Sequence, residues 1–179
     1  YTKEGGQNRI WYSADGLRWH LYDTVPTGLR AADTQPTWFW EPRIGRYVGY
    51  SRELPPRMVG YNESDDMLHW ENLTLALKPD ALDLAALTGF LPHSPVSAAP
   101  EKAEQVGSVY GKGSTVVGAL PLDFYGPCVF KYAEAQDVYI SLLPVYYHWR
   151  AVEKNWPATA DVKLAVSRDG RQFGRVGER

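Results

Sequence analysis

The chain has 179 residues, 44% of them hydrophobic and 22% charged, the proportions of a folded globular protein rather than a disordered or fibrous one. A formal charge of -2 with scattered Lys and Arg excludes the basic footprint of a nucleic-acid binder, and no stretch approaches the roughly 18 apolar residues of a membrane helix. A single Cys128 excludes an internal disulfide framework, while seven Trp and twelve Tyr against two Met favour sheets packed with flat rings over Leu- and Met-filled helices.

Strands are expected first over Arg9–Ser13 and Trp19–Val25, joined by the turn Ser13-Ala14-Asp15-Gly16-Leu17-Arg18-Trp19. Thr37–Glu41 and 46–51 form the next hairpin, through Pro42 to Gly45. Strands over 57–63 and 69–75 follow, flanking Ser64-Asp65-Asp66-Met67-Leu68-His69-Trp70. From about Lys78 to Leu122 the composition shifts to Ala, Pro, Gly and Ser, which reads as an insertion with a short helix over 80–87 and at most two weak strands. Four more strands, 127–132, 137–143, 161–167 and 172–176, complete the series, the last two joined by Ser167-Arg168-Asp169-Gly170-Arg171-Gln172-Phe173.

The three Ser-to-aromatic turns are one repeated motif. Asp-Gly supplies the positive-φ residue of a tight hairpin, and the aromatic four positions after the Asp can fold back over it. Ligand contact is one reading of such turns; architecture is the favoured one. Asp15 and Asp66 are 51 positions apart and Asp66 and Asp169 are 103. Units of four antiparallel strands at this size predict β-propeller blades.

The expected organisation is therefore one all-β, partial propeller domain over 1–179. It comprises the end of one blade (9–25), a full blade (33–77), an inserted segment (78–122) and a second full blade (123–176). Since propellers close with about four to eight blades, the ring would be completed by further blades of a longer precursor, by a partner chain or by self-association. The start at Tyr1, without Met, suggests a processed or excised piece, and an extracytoplasmic setting is expected.

Ala32-Asp33-Thr34-Gln35, Trp38-Phe39-Trp40-Glu41, Gly45 to Arg52 and Glu63 to Trp70 resemble segments of five-bladed propeller proteins related to glycoside hydrolases. Asp123-Phe124-Tyr125-Gly126 and Leu164 to Gly170 fit the same pattern one blade later. The nearest resemblance is to the amino-terminal propeller of invertase-like enzymes, with the arabinanase and xylosidase group as wider kin. It covers residues 9–77 and 120–176, about half a five-bladed ring. The resemblance implies a carbohydrate ligand and a glycosidase activity; the alternative is a noncatalytic propeller that binds glycan or protein through the same face. It also implies that Asp33 matches the Asp opening an inner strand, which supports the acid or the oxocarbenium-like transition state. Asp123 takes the equivalent place where that family more often carries the Glu acid.

Strand order separates the residues on its own. In a propeller, strand-one starts and the links between strands two and three share one end, and the Asp-Gly turns lie at the other. Asp33, Asp123, Arg52, Arg57 and His148 thus gather at one end, and glycosidic chemistry asks for two carboxyl groups there, one as acid and one as nucleophile or base. Asp33 and Asp123 are the catalytic candidates; capping of backbone amides is the other role open to them. Arg52 and Arg57 are candidates to hold a sugar carboxylate or orient Asp33, or to form surface ion pairs. Trp38 and Tyr125 are candidates to stack on a sugar ring, or to pack between blades. No His, Cys, Asp or Glu cluster has metal-ligand spacing, so neither metal nor organic cofactor is expected.

Overall fold

A computed structural model describes residues 2–4, 7–29, 34, 36–53, 57–83, 122–148 and 158–177. These residues form antiparallel β-sheets, with one helical turn at 81–83. Two short hairpins come first, β1 (Thr2–Glu4) with β2 (Gln7–Arg9) and β3 (Trp11–Tyr12) with β4 (His20–Leu21). The first sheet then runs in chain order as β5 (Thr37–Glu41), β6 (Arg46–Glu53), β7 (Met58–Ser64) and β8 (Thr74–Leu77). In the second, β9 (Leu122–Phe124) and β10 (Val129–Lys131) both pair with β11 (Tyr139–His148), followed by β12 (Ala158–Ser167) and β13 (Gly174–Val176).

Each hairpin is closed by what its turn residues can do. Positive φ falls on Gly16 (73°), Met67 (64°) and Gly170 (75°), the same place in all three Ser-to-aromatic turns. In each, the Ser hydroxyl accepts from that residue's amide at 2.9 Å. The Asp Oδ1 accepts the next two amides: Leu17 and Arg18 on Asp15, Leu68 and His69 on Asp66, Arg171 and Gln172 on Asp169. The three Asp residues are therefore occupied as backbone caps, the architectural role.

The two sheets pack face to face. Alternation puts Phe39, Val48, Tyr50, Val59 and Tyr61 on one side of the first sheet, where they meet Val129, Tyr139, Leu143, Val145 and Ala165 of the second. Tyr50 and Phe124 are fully buried, each such ring contributing about 1.5–3 kcal/mol through lost water contact. Phe39 bridges the seam, stacked on Tyr50 at 6.0 Å and on Tyr139 at 6.4 Å.

The first two strands of the first sheet follow the expected pattern; other boundaries move for identifiable reasons. β8 begins at Thr74 rather than 69, because Leu73 folds over Gly60, where the β7–β8 register shifts. A Cβ at Gly60 would fall 1.6 Å from Leu73 Cδ2, so only glycine admits that cover. β11 and β12 each run ten residues, past the Pro144 at which a strand would be expected to stop. The Pro144 carbonyl accepts from Tyr125 at 2.8 Å, so its missing N–H faces the interrupted inner strand instead of β12.

That interruption is a bulge. β10 pairs Val129 with Ser141, whereas β9 pairs Phe124 with Val145, one residue out of step. The shift is absorbed around Cys128, whose φ of 38° is left-handed. Side-chain alternation inverts across it, which turns Phe124 and Leu122 into the core and leaves Asp123 on the side of Tyr146.

Within the expected helix over 80–87, the turn at 81–83 is capped reciprocally by Asp80 and Asp83 and held by Arg175 from β13. Residues 84–121, most of the expected insertion, lie outside the described residues.

Candidate functional site

The connection from β6 to β7 meets the free edge of β9 at one end of the sheet seam. The amide of Phe124 donates to the carbonyl of Arg57 at 3.1 Å, tying the sheets together by backbone. This brings Arg57 Nη1 within 3.1 and 3.4 Å of the two Asp123 carboxylate oxygens. Both residues are buried, Asp123 at 1% exposure and Arg57 at 7%. A buried pair offsets its desolvation only with good geometry and further contacts. Aromatic faces supply some: the Arg57 guanidinium lies 5.1 Å from the Tyr125 ring and 5.5 Å from Tyr146, and Arg52 lies 5.1 Å from Tyr125. Tyr125 and Tyr146 stack at 5.6 Å with 29° between planes.

Asp123, Arg57, Arg52 and Tyr125, four of the seven candidates, thus come together. Asp33 lies outside the described residues, but its neighbour Thr34 lies beside Gly126, three positions from Asp123. His148 ends β11 opposite Ala158, and its side chain is outside the described residues. Trp38 sits on the first-sheet face that points away from the second sheet, against Trp70 at 6.4 Å and over Gly49. Packing is what these contacts give Trp38.

Tyr146 was not singled out from sequence. It is paired directly across from Asp123, but only after the bulge has inverted the alternation, and no regular pattern announces a bulge.

At the opposite end of the seam lies a second polar cluster. Glu41, 1% exposed, accepts from Lys131 Nζ at 2.7 Å, the Tyr139 hydroxyl at 2.5 Å and the Arg43 amide at 2.9 Å. Burial pushes its carboxyl up, but these donors outweigh burial and hold it below the usual range. A cavity of about 230 Å³ opens beside it, lined by Glu41, Arg43, Tyr50, Tyr61 and Arg171 among others. Its charges are matched within the chain: Arg171 and Arg46 both bond Glu63, and Arg43 bonds the carbonyls of Arg168 and Asp169. This end carries the Ser-to-aromatic turns and reads as an interlock.

Among the described residues no group of three or more His, Cys, Asp or Glu is arranged to hold a metal ion, and no helix is long and apolar enough to cross a membrane. Asn62 of the glycosylation pattern Asn62-Glu63-Ser64 is buried. No family model matches the chain, and no curated protein matches it either.

Proposed function

We propose that the chain is part of a carbohydrate-active β-propeller of the five-bladed type and that it works as a glycoside hydrolase at the Arg57–Asp123 end of the seam. The observation that carries the reading is the meeting of a buried carboxylate, two guanidinium groups and a stacked tyrosine pair on the free edge of an inner strand. A four-strand sheet followed by a second sheet that would also count four if β9 and β10 are taken as one interrupted strand, the two packed face to face with their Ser-to-aromatic turns at the other end, supports the propeller.

In this reading Asp123 faces a sugar in the channel. With Arg57 across it, its chemistry is that of a hydrogen-bond acceptor, the part played by a nucleophile, a base or a ring-hydroxyl anchor. Asp33 supplies the second carboxyl group. Its separation from Asp123 sets the outcome, about 5–5.5 Å for retention and about 6.5–9.5 Å for inversion. Tyr125 offers a flat face to a sugar ring, and Arg52 lies beside it. Polymeric glycans too large to cross a membrane place such an enzyme outside the cytoplasm.

The test is reducing-sugar release from arabino-, xylo- and fructo-oligosaccharides. The expected result is hydrolysis of one class, lowered at least about 100-fold in Asp33→Asn and Asp123→Asn, the range set by losing one catalytic group. No hydrolysis and no binding of any glycan would overturn the proposal. A second reading, a propeller that binds glycan without cleaving it, draws on the closed Arg57–Asp123 ion pair. It expects binding without release of reducing ends, and loss of that binding in Tyr125→Ala.

A further inference from the structure

The junction between the sheets has a direction. The Ser167–Phe173 turn of the second sheet seats on the inner face of the first, with Phe173 against Tyr50 at 5.9 Å and Arg171 over Tyr61 at 5.8 Å and bonded to Glu63. The Phe173 amide donates to the carbonyl of Ala76 at 3.3 Å. One junction earlier a similar bond runs from the Trp70 amide to the carbonyl of Thr27 at 3.0 Å, two positions further along in the turn's frame. Each turn thus clasps the unit before it.

The turns provide a common frame. Ser64 pairs with Tyr47 and Ser167 with Tyr139, so Tyr50 corresponds to Leu142, Tyr61 to Leu164 and Glu63 to Val166. In the first sheet these positions are buried beneath the second. In the second sheet the corresponding face is bare: Phe130 is 41% exposed, Leu142 44%, Val162 60% and Leu164 39%. Cross-strand register sets Phe130 beside Ile140 and Val166, and Leu142 beside Leu164 and Val176, an apolar stretch of a sheet face whose other end carries the buried Asp123 beside Tyr146.

The Ser13–Trp19 turn is the matching half. In the shared frame Leu17 stands where Arg171 does and Trp19 where Phe173 does, and they are 84% and 57% exposed. The exchange is complementary on both sides. Inside the chain Arg171 meets Tyr61 and Glu63; between the two exposed surfaces Leu17 would meet Leu164 and Val166, so a charged pair gives way to an apolar one.

We propose that a second copy of this chain seats its Ser13–Trp19 turn on the Leu142–Leu164 face, head to tail, continuing the interface that already joins the two sheets. The contact is heterologous, so copies add into a ring or an open row according to the rotation between them. It stands on the sheet geometry alone and is independent of the ligand bound at Arg57–Asp123.

Analytical ultracentrifugation of the full chain over a dilution series tests it. The wild type is expected to sediment with a concentration-dependent mass of two chains or more. Leu17→Glu, with its head blocked, and Leu142→Glu, with its tail blocked, are each expected as single chains, and their equimolar mixture as a two-chain species and nothing larger. A wild type that stays a single chain, a Leu17→Glu variant that associates like the wild type, or a mixture without the two-chain species would each overturn the proposal. Circular dichroism checks the fold, and Val162→Lys repeats the tail-side arm should Leu142→Glu unfold.

Discussion

The Tyr50 hydroxyl donates to the carbonyl of Gly170 at 2.7 Å, fastening together residues 120 positions apart across the seam between the sheets. Burial, reinforced by the neighbouring Tyr61, pushes the phenol well above its ordinary pKa, so it remains a donor at any pH the protein meets. Removing the hydroxyl leaves a buried carbonyl unsatisfied. Tyr50→Phe should therefore cost about 1–3 kcal/mol in urea unfolding. Gly170→Ala should cost more, since its φ of 75° disfavours a side chain and the new Cβ would lie 2.9 Å from that hydroxyl.

Arg57 and Asp123 should behave as a coupled pair. Truncating either alone takes the opposite charge away from a buried ion, and Arg57→Ala is expected to destabilise by about 3–5 kcal/mol. The double variant Arg57→Met with Asp123→Leu should lose much less than the two single losses combined. A double-mutant cycle by chemical denaturation measures the coupling, and simple additivity would show that the pair contributes nothing as a pair.

Acid should loosen the turn end of the seam first. Glu63, like Glu41, is raised by burial but held lower still by the Tyr61 hydroxyl and Arg171, and Asp169 is held down against burial by the amides of Gln172 and Arg171. The folded chain thus binds fewer protons than the unfolded one. The stability these groups contribute is fully present above the unfolded values of 4.5 and 3.8 and is lost as pH falls through the lower folded ones. Urea midpoints measured from pH 7 downward should fall below about pH 4.5, and Glu41→Gln should flatten that fall while lowering the midpoint at pH 7.

Much of this was legible beforehand, and the reasons differ by residue. The hairpin at Trp38 to Tyr50 and the three turns announce themselves because aromatic alternation and Ser-x-Asp spacing act locally. The meeting of Arg57 with Asp123, 66 positions away, follows from strand order, since links between second and third strands and the starts of inner strands share an end. Tyr146 and the cluster around Glu41 were hidden. The first depends on a register slip, and the second depends on Lys131 and Tyr139 arriving from the other sheet, which no local pattern encodes.

The turn carboxylates make a separate prediction. Asp169→Ala removes the acceptor of two amides and should cost about 1–2 kcal/mol, with faster hydrogen exchange at Arg171 and Gln172. Asp169→Asn keeps a carbonyl oxygen in the same place and should recover most of both effects. Equal exchange rates in the alanine variant and the wild type would mean that those amides find other acceptors.

The slip around Cys128 gives the stretch from Tyr125 to Cys128 one link more than the strand opposite it spans: five steps separate Phe124 from Val129, while four separate Val145 from Ser141. Excising one residue there would match four steps to four, so that Phe124 would keep Val145 opposite it and stay in the oily interior while the kink straightened. Anyone shortening the protein at this point should therefore expect the loss of one link to spare the pairing upstream and to erase the left-handed kink.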